Sequence, residues 1–199
     1  MSERPFHHGS LRTVLLDEAI SVLRESGVDG LSLREHARRA QVSHGAPRSH
    51  FIDRQALLDA LAETGFRRLT ADVRRALAGQ DDVRERFLRV ARAYVHFAID
   101  DAALMNLMFP ATPTARPSTV ASAAQDLFVT LDSAMGPRRA GTDDVARESF
   151  EMIFAATMQG IATLVTSNRI DRERGDRLVE EAMEMMLGSA LASKTVSAG

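Results

Sequence analysis

Few residues of this 199-residue chain have side chains suited to catalysis. Cysteine is absent, which excludes disulfides, thiolate metal sites and cysteine nucleophiles. His96 and Tyr94, followed by Asp100 and Asp101, form the best set for acid–base work. No nucleophile–base arrangement, phosphate loop or dinucleotide-binding motif accompanies them. The sequence therefore predicts that the protein is not an enzyme, has no catalytic residues and uses no cofactor.

The adjacent histidines His7 and His8 are the most conspicuous metal-ligand types in the sequence. Neighbours in sequence do not share a helix face, and no carboxylate nearby completes a ligand set. We therefore expect a solvated or phosphate-facing arm and no metal site.

A polar segment from Leu31 to Phe51, LSLREHARRAQVSHGAPRSHF, is typical of two short helices joined by a tight turn. Ser32 and Glu35 have capping-box spacing at the start of the first helix, and Ser43 is a suitable N-cap for the second. The second helix carries His, Gly, Arg and Ser where a buried helix would carry Leu. Such a helix buries little, so we expect it to enter the major groove of DNA.

The rest of the chain has helical periodicity without any strand pattern. Three residues are predicted to be N-caps, namely Asp53, Thr142 and Asp171. Gly27 with Gly30 is predicted to end the first helix, and the tail from Ala192 is predicted to fray. The sequence predicts an all-α protein of nine helices, over residues 11–25, 32–40, 44–51, 54–78, 82–99, 101–109, 117–135, 142–167 and 171–191.

The composition is that of an ordinary globular protein, with 45% hydrophobic and 26% charged residues. The formal net charge of −2 gives no overall basicity, but a local basic patch is enough to contact phosphates. No apolar run approaches the ~20 residues of a membrane helix, and the N-terminus lacks the apolar core of a signal peptide. We expect a cytoplasmic protein without membrane contact.

The run LSLREHARRA-QVS-HGAPRSHFIDRQALLDAL resembles the N-terminal helix-turn-helix of TetR-type transcriptional regulators. The resemblance covers roughly residues 7–62, and ARAYVHFAIDDAALMNLMF with MQGIATLV is similar to the ligand-binding domain of one subgroup. It implies a DNA-binding domain at residues 1–53 and a ligand-binding and dimerisation domain at residues 54–199. The chain departs from the family pattern at Gln41, Arg48 and Arg54, where the family usually has Gly, Tyr and Lys.

The resemblance implies a two-fold dimer that places one recognition helix in each major groove of a palindromic operator. Arg48 is expected to pair with a guanine or with a phosphate, and the sequence leaves both open. The residues expected to contact DNA are Ser32, Ser43, His44, Gly45, Arg48, Ser49, His50 and Arg54.

The resemblance also implies an effector pocket between the later helices, lined by adaptable Met and aromatic side chains. Helices 142–167 and 171–191 are expected to pair with their copies in a homodimer, and helix 54–78 to couple effector to DNA binding. The resemblance thus predicts a repressor that a small apolar effector releases from DNA. The alternative is a dimeric small-molecule-binding protein with altered or lost DNA binding. The expected pocket residues are Tyr94, Phe97, Met105, Met108, Phe109, Phe128, Phe154 and Met158.

Overall fold

The computed structural model describes residues 8–32, 50–79, 82–110, 115–138 and 143–196. These ranges contain helices and no strand, so the prediction of an all-α fold is confirmed. The helices are α1 His8–Ser26, α2 Arg54–Leu77, α3 Val83–Asp100, α4 Ala102–Met108, α5 Ser118–Asp132, α6 Asp144–Thr166, α7 Arg172–Leu187 and α8 Ala190–Thr195. Two 3₁₀ turns, Val28–Gly30 and Ser133–Met135, follow α1 and α5.

Contacts among the described residues define two compact units. One contains the residues up to 65 together with 103–121, and the other contains residues 66–102 and 122–199. The division falls within α2, whose first half belongs to one unit and whose second half belongs to the other. The domain boundary predicted at residue 53 is a separate, functional division and stays a prediction.

The first unit is built on α1. Leu15, Ala19 and Leu23 follow one another at four-residue spacing and are fully or almost fully buried, as the periodicity predicts. Gly27 ends the helix with a φ of +66°, a left-handed conformation that glycine adopts without steric cost. The predicted helices at 32–40 and 44–51, and the turn residue Gln41, lie outside the described residues.

The second unit packs α3 against α6 and α7. Phe87 of α3 meets Phe150 and Phe154 of α6 edge to face, with ring centroids 5.6 and 6.2 Å apart. This geometry is the favoured one for aromatic pairs because the ring edge is positive and the ring face negative. The three rings form one wall of a small cavity in this unit.

Aspartates cap the main helices as N-terminal side-chain acceptors. Asp53 accepts from the backbone N–H of Ala56 at 2.8 Å, and Asp171 accepts from that of Arg174 at 2.7 Å, so both predicted caps are confirmed. The prediction of Thr142 as the cap of α6 was wrong. Asp143 takes that position, accepting from Ala146 N–H at 3.0 Å, since a carboxylate beside a threonine is the stronger acceptor.

The C-terminal end differs from the prediction of one helix to residue 191 and a frayed tail. Helix α7 ends at Leu187, and Ser189 then caps the separate helix α8 through the N–H of Ala192. Ala192 and Thr195 of α8 are buried. The tail residues up to 196 thus form packed structure, with α8 against α6 and α7.

Candidate functional site

Arg54, predicted to hold a DNA phosphate, also has a role inside the first unit. Its Nε donates to the carbonyl of Leu31 at 3.0 Å, and a terminal nitrogen donates to the carbonyl of Val28 at 2.6 Å. These carbonyls belong to the turn after α1, so Arg54 connects the start of α2 to that turn. The side chain is nevertheless exposed, and a guanidinium has five N–H donors, so the two carbonyls do not exhaust it.

The other predicted DNA contacts are only partly within the described residues. Ser32 is exposed and His50 is half-buried. Beside His50, Phe51 is buried under the guanidinium of Arg12, whose carbon lies 5.5 Å from the ring centroid. Five further predicted contacts lie outside the described residues, namely Ser43, His44, Gly45, Arg48 and Ser49.

The predicted effector-pocket residues divide between the two units. Met105, Met108 and Phe109 belong to the first unit, where the two methionines are buried and Phe109 is partly exposed. In the second unit Phe128 is half-buried. The remaining predicted residues of that unit are all buried, namely Tyr94, Phe97, Phe154 and Met158.

Within the second unit, a cavity of about 10 Å³ lies between α3, the end of α5 and α6. That volume accommodates about one water molecule. Phe154 is the predicted pocket residue on its wall, and Glu151 is a polar residue that the sequence analysis did not select. The full lining consists of Phe87, Val90, Leu131, Ala134, Met135, Phe150, Glu151 and Phe154.

Glu151 is a carboxyl in a mainly apolar setting. Its Oε1 is buried and has no hydrogen-bond partner within the described part of the chain. The pKa of Glu151 is raised to about 7, mainly by burial. The nearby charges of Asp132 and Glu148 also raise this pKa, and those of Arg147 and Arg138 lower it. The carboxyl therefore changes protonation close to neutral pH.

Arg147 lies one helical turn before Glu151, but its guanidinium forms hydrogen bonds with other groups. It is 2% exposed, and its Nε and a terminal nitrogen donate to the two carboxylate oxygens of Asp132 at 2.5 and 3.0 Å. Further donations reach the carbonyls of Asp132 and Gly136, each at 2.8 Å, and of Thr195 at 3.3 Å. This bonding explains why an arginine at helical spacing leaves the Glu151 oxygen without a partner.

Tyr94 is a second polar group in the interior of this unit. Its hydroxyl donates to Oε1 of Gln159 at 3.4 Å, a long hydrogen bond. Burial raises the pKa of Tyr94 to about 12, so the phenol is neutral at physiological pH. It can act as a hydrogen-bond donor or acceptor there, but not as a charged group.

The side chains that the enzyme alternative collected have structural partners. His96 Nε2 lies 2.8 Å from Asp176 Oδ1, and Asp100 is bound by Arg172 at 2.8 Å. These contacts form part of an antiparallel ladder at four-residue spacing between α3 and α7. The three pairs are Arg92–Glu180, His96–Asp176 and Asp100–Arg172.

Neither a metal cluster nor a membrane span is found in the described part of the chain. Within those ranges no three His, Asp or Glu side chains are grouped so that they could hold a metal ion. No helix in the same ranges is long and apolar enough to cross a bilayer.

Several apolar side chains on α6 and α7 of the second unit are exposed to solvent. Val145, Met152 and Ile153 of α6 are 73, 56 and 48% exposed, and Met185 of α7 is 77% exposed. Gly160 lies further along α6, and a Cβ added there would meet no described atom within 4 Å. We call this surface, Val145, Met152, Ile153, Gly160 and Met185, the α6–α7 face.

A family model described as "Tetracyclin repressor-like, C-terminal domain" matches residues 87–188, which is α3 through the end of α7. The chain belongs to the TetR family of transcriptional regulators. The match includes the ion-pair ladder, the cavity and all residues of the α6–α7 face. The sequence-based resemblance to TetR-type regulators is thereby confirmed.

Two solved structures share the fold over most of this chain. A protein of unknown function from Rhodococcus sp. RHA1 is 41% identical, with a TM-score of 0.77, and the match covers 92% of this chain and 97% of that one. FadR of Bacillus subtilis, solved in complex with stearoyl-CoA, is 14% identical with a TM-score of 0.69, covering 88% of this chain and 97% of that one. At that identity the likeness shows the fold alone.

A curated relative within the TetR regulators is the HTH-type nicotine-responsive transcriptional repressor HdnoR of Paenarthrobacter nicotinovorans. It is 36% identical over 73 residues, which are 37% of this chain and 38% of that protein. The match therefore spans well under half the length of this relative.

Sequence reasoning missed Arg147 and Glu151. Arg147 could have been found, because it lies at helical spacing with Phe150, Phe154 and Ile161 on the buried face of α6. Glu151 carried no such signal, since its isolation results from the bonding of Arg147 to a different helix.

Proposed function

We propose that this TetR-family chain is a ligand-responsive repressor that binds a palindromic DNA operator as a homodimer. Family membership carries this proposal, together with the α6–α7 face. We further propose that it has no enzymatic activity, since His96 and Asp100, the best catalytic candidates, are engaged in the ion-pair ladder. A regulator of this kind acts where the DNA is, so we place it in the cytoplasm.

The α6–α7 face supports the proposed dimer. Large apolar side chains at 56–77% exposure, such as Val145, Met152 and Met185, are costly to leave in water when they are grouped. A two-fold dimer buries the same patch on both copies, because an isologous interface is self-complementary. The open space above Gly160 would let the backbones of two α6 helices approach closely.

DNA binding is proposed through the residues selected from the sequence. Arg54 fits the task of a phosphate contact because its exposed guanidinium is held in a fixed position by Leu31 and Val28. Ser32, exposed after the same turn, is placed on the same segment. Phosphate contacts of this type set position, and base reading is left to the proposed recognition helix.

An effector is proposed to bind in the ligand-binding domain and to oppose DNA binding. The eight Met, Phe and Tyr residues predicted from the sequence remain candidates for its contacts, and the cavity beside Phe154 is one place where space exists. Helix α2 contains one of the points where the chain passes between the units, so we propose it as the coupling element. Linkage requires effector and operator to weaken each other by the same factor.

The decisive experiment is a gel shift with the purified chain and the DNA upstream of its own gene at several salt concentrations. We expect a discrete complex whose affinity falls steeply with salt, because phosphate contacts release counterions. Retention of no fragment at low salt would refute operator binding. Sedimentation would then show whether the alternative, a dimeric small-molecule-binding protein without DNA binding, applies.

A further inference from the structure

The cavity of the second unit has apolar walls and a single carboxyl, and this combination indicates a ligand class. We propose that it receives the ammonium group of a primary organic amine, with Glu151 as counter-ion. This inference rests on the proposed function, since it names the effector chemistry of a ligand-responsive regulator. It concerns a residue of this chain that neither the sequence pattern nor the relatives assign.

The first step concerns the unsatisfied oxygen. Oε1 of Glu151 is buried without a hydrogen-bond partner in the described structure, and such a group costs free energy that a ligand donor would recover. Arg147 cannot supply the donor, because Asp132 and three backbone carbonyls engage its guanidinium. Oε1 of Glu151 therefore lacks a hydrogen-bond donor among the described residues.

The second step concerns the charges and the walls. Phe87, Phe150 and Phe154 form one wall of the space, and aromatic rings attract cations through their negative faces. Asp132 adds a further negative charge close enough to affect Glu151. A carboxylate or phosphate ligand would meet repulsion from both acids, and a purely apolar ligand would leave Oε1 unsatisfied.

The third step concerns size. At about 10 Å³ the cavity holds one water-sized group, which suits a primary ammonium and excludes a trimethylammonium. Glu151 is half-buried, so part of its side chain next to the cavity is exposed to solvent. The apolar tail of the amine would leave the cavity there.

The protonation of Glu151 should make amine binding depend on pH, which gives the proposal a second test. Burial raises the pKa of Glu151 to about 7, so the carboxyl is neutral in acid and attracts no ammonium there. The charges around it are Asp132, Arg138, Arg147 and Glu148, and Arg86 of α3 donates to the carbonyl of Ala134 on the cavity wall. Amine affinity should therefore fall about tenfold per pH unit below 7.

The test is isothermal titration calorimetry of the full-length protein with octylammonium. Three probes of equal chain length separate the possibilities, namely octyltrimethylammonium, 1-octanol and octanoate. We expect octylammonium to bind most tightly at pH 8 and to weaken on acidification. The substitution Glu151→Gln keeps the shape and removes the charge, so it should weaken octylammonium at least tenfold and abolish its pH dependence. Glu181→Gln, at an exposed position of α7 in the same unit, should change neither.

Different outcomes overturn different statements. Absence of octylammonium binding, equal binding by Glu151→Gln, or tighter octanoate binding would overturn the amine site. Since the wild-type pH profile needs no variant, a folding defect in Glu151→Gln does not remove the test. If the amine site fails while the upstream DNA is still retained in the gel shift, the proposed regulator function stands. If the amine binds but no DNA is retained, the site stands and the regulator function fails.

Discussion

The carboxylate of Asp132 receives two hydrogen bonds from Arg147, through Nε at 2.5 Å and a terminal nitrogen at 3.0 Å. The same guanidinium also reaches the carbonyls of Gly136 and Thr195. One buried side chain thus connects α6 to the end of α5 and to α8. Removing it would leave a carboxylate and several carbonyls without their donor.

We expect Arg147→Ala to lower the free energy of unfolding by about 3–5 kcal/mol, because breaking a buried ion pair leaves an uncompensated charge. Urea denaturation of the purified protein measures this. Arg138→Ala is the matched control, since Arg138 is 56% exposed while also pairing with Asp132 and should cost less than about 1 kcal/mol. Equal losses for the two variants would contradict the assigned role of Arg147.

The carboxyl of Glu151 should make stability depend on pH. Its pKa in the folded protein, about 7, is above the ordinary value of 4.5, so folding disfavours the ionised form. The stability of the wild type relative to that of Glu151→Gln should therefore fall as pH rises from about 4.5 to 7, and stay constant above that range. The variant should exceed the wild type by about 1–2 kcal/mol at pH 8, a figure reduced for the half-exposure of the side chain.

Urea titrations of both proteins at pH 5 and pH 8 measure this difference. Glu181→Gln, on the exposed surface of α7, provides the control and should show no comparable change with pH. A wild type that gains stability over Glu151→Gln on going to pH 8 would show that the ionised carboxyl is stabilised by folding, which is the opposite sign.

The proposed dimer can be tested at Gly160. Substitution by Leu meets open space in the isolated chain, and a helical glycine is itself destabilising by about 0.5–1 kcal/mol relative to alanine, so the fold should tolerate the change. If α6 of a second copy packs there, the added side chain would separate the helices and weaken the dimer. Sedimentation velocity over a concentration series should show a shift towards monomer.

Ser122→Leu, on the exposed surface of α5, is the matched control for added bulk and should leave the oligomeric state unchanged. A Gly160→Leu protein that dimerises as tightly as the wild type would place the interface elsewhere.

The role of Arg54 can be separated into structure and DNA contact. Arg54→Met loses two hydrogen bonds to carbonyls, which should cost about 1–3 kcal/mol of stability. If Arg54 also holds a phosphate, the slope of log K against log salt for the operator should decrease by about 1. Gel shifts over a series of salt concentrations, performed well below the unfolding temperature, measure that slope.

Arg67→Met serves as a control on the exposed surface of the same helix. An unchanged salt slope with reduced stability would leave Arg54 a structural residue alone.

Periodicity and capping chemistry were enough to predict the all-α fold and most helix bounds. Asp53 and Asp171 were predictable because a side-chain acceptor directly before an amphipathic run is in the position to cap the helix that follows. Thr142 and Asp143 are both acceptors, and which one caps depends on a one-residue shift that periodicity does not resolve. The break at Gly188 was missed because α8 is held by buried contacts, with Thr195 bonded to Arg147, and not by local propensity.

The candidate sites were less predictable for a different reason. Helical spacing identifies which residues face inward, as it did for Tyr94 and Phe154, but a cavity depends on where neighbouring side chains fail to fill space. The position of Arg147 four residues before Glu151 predicts an ion pair along the helix. Instead Asp132, fifteen residues before the arginine, takes the guanidinium, and only tertiary structure reveals it.

The isolated carboxyl of Glu151 has a consequence for the protein as a starting point for directed evolution. At pH 8 this residue lowers stability, so a screen that rewards only thermal resistance should repeatedly replace it with Gln or an apolar residue. A screen that rewards response to an amine should keep it. The two screens applied to one mutant library would therefore diverge first at this position, and sequencing the survivors would measure what the group contributes to function.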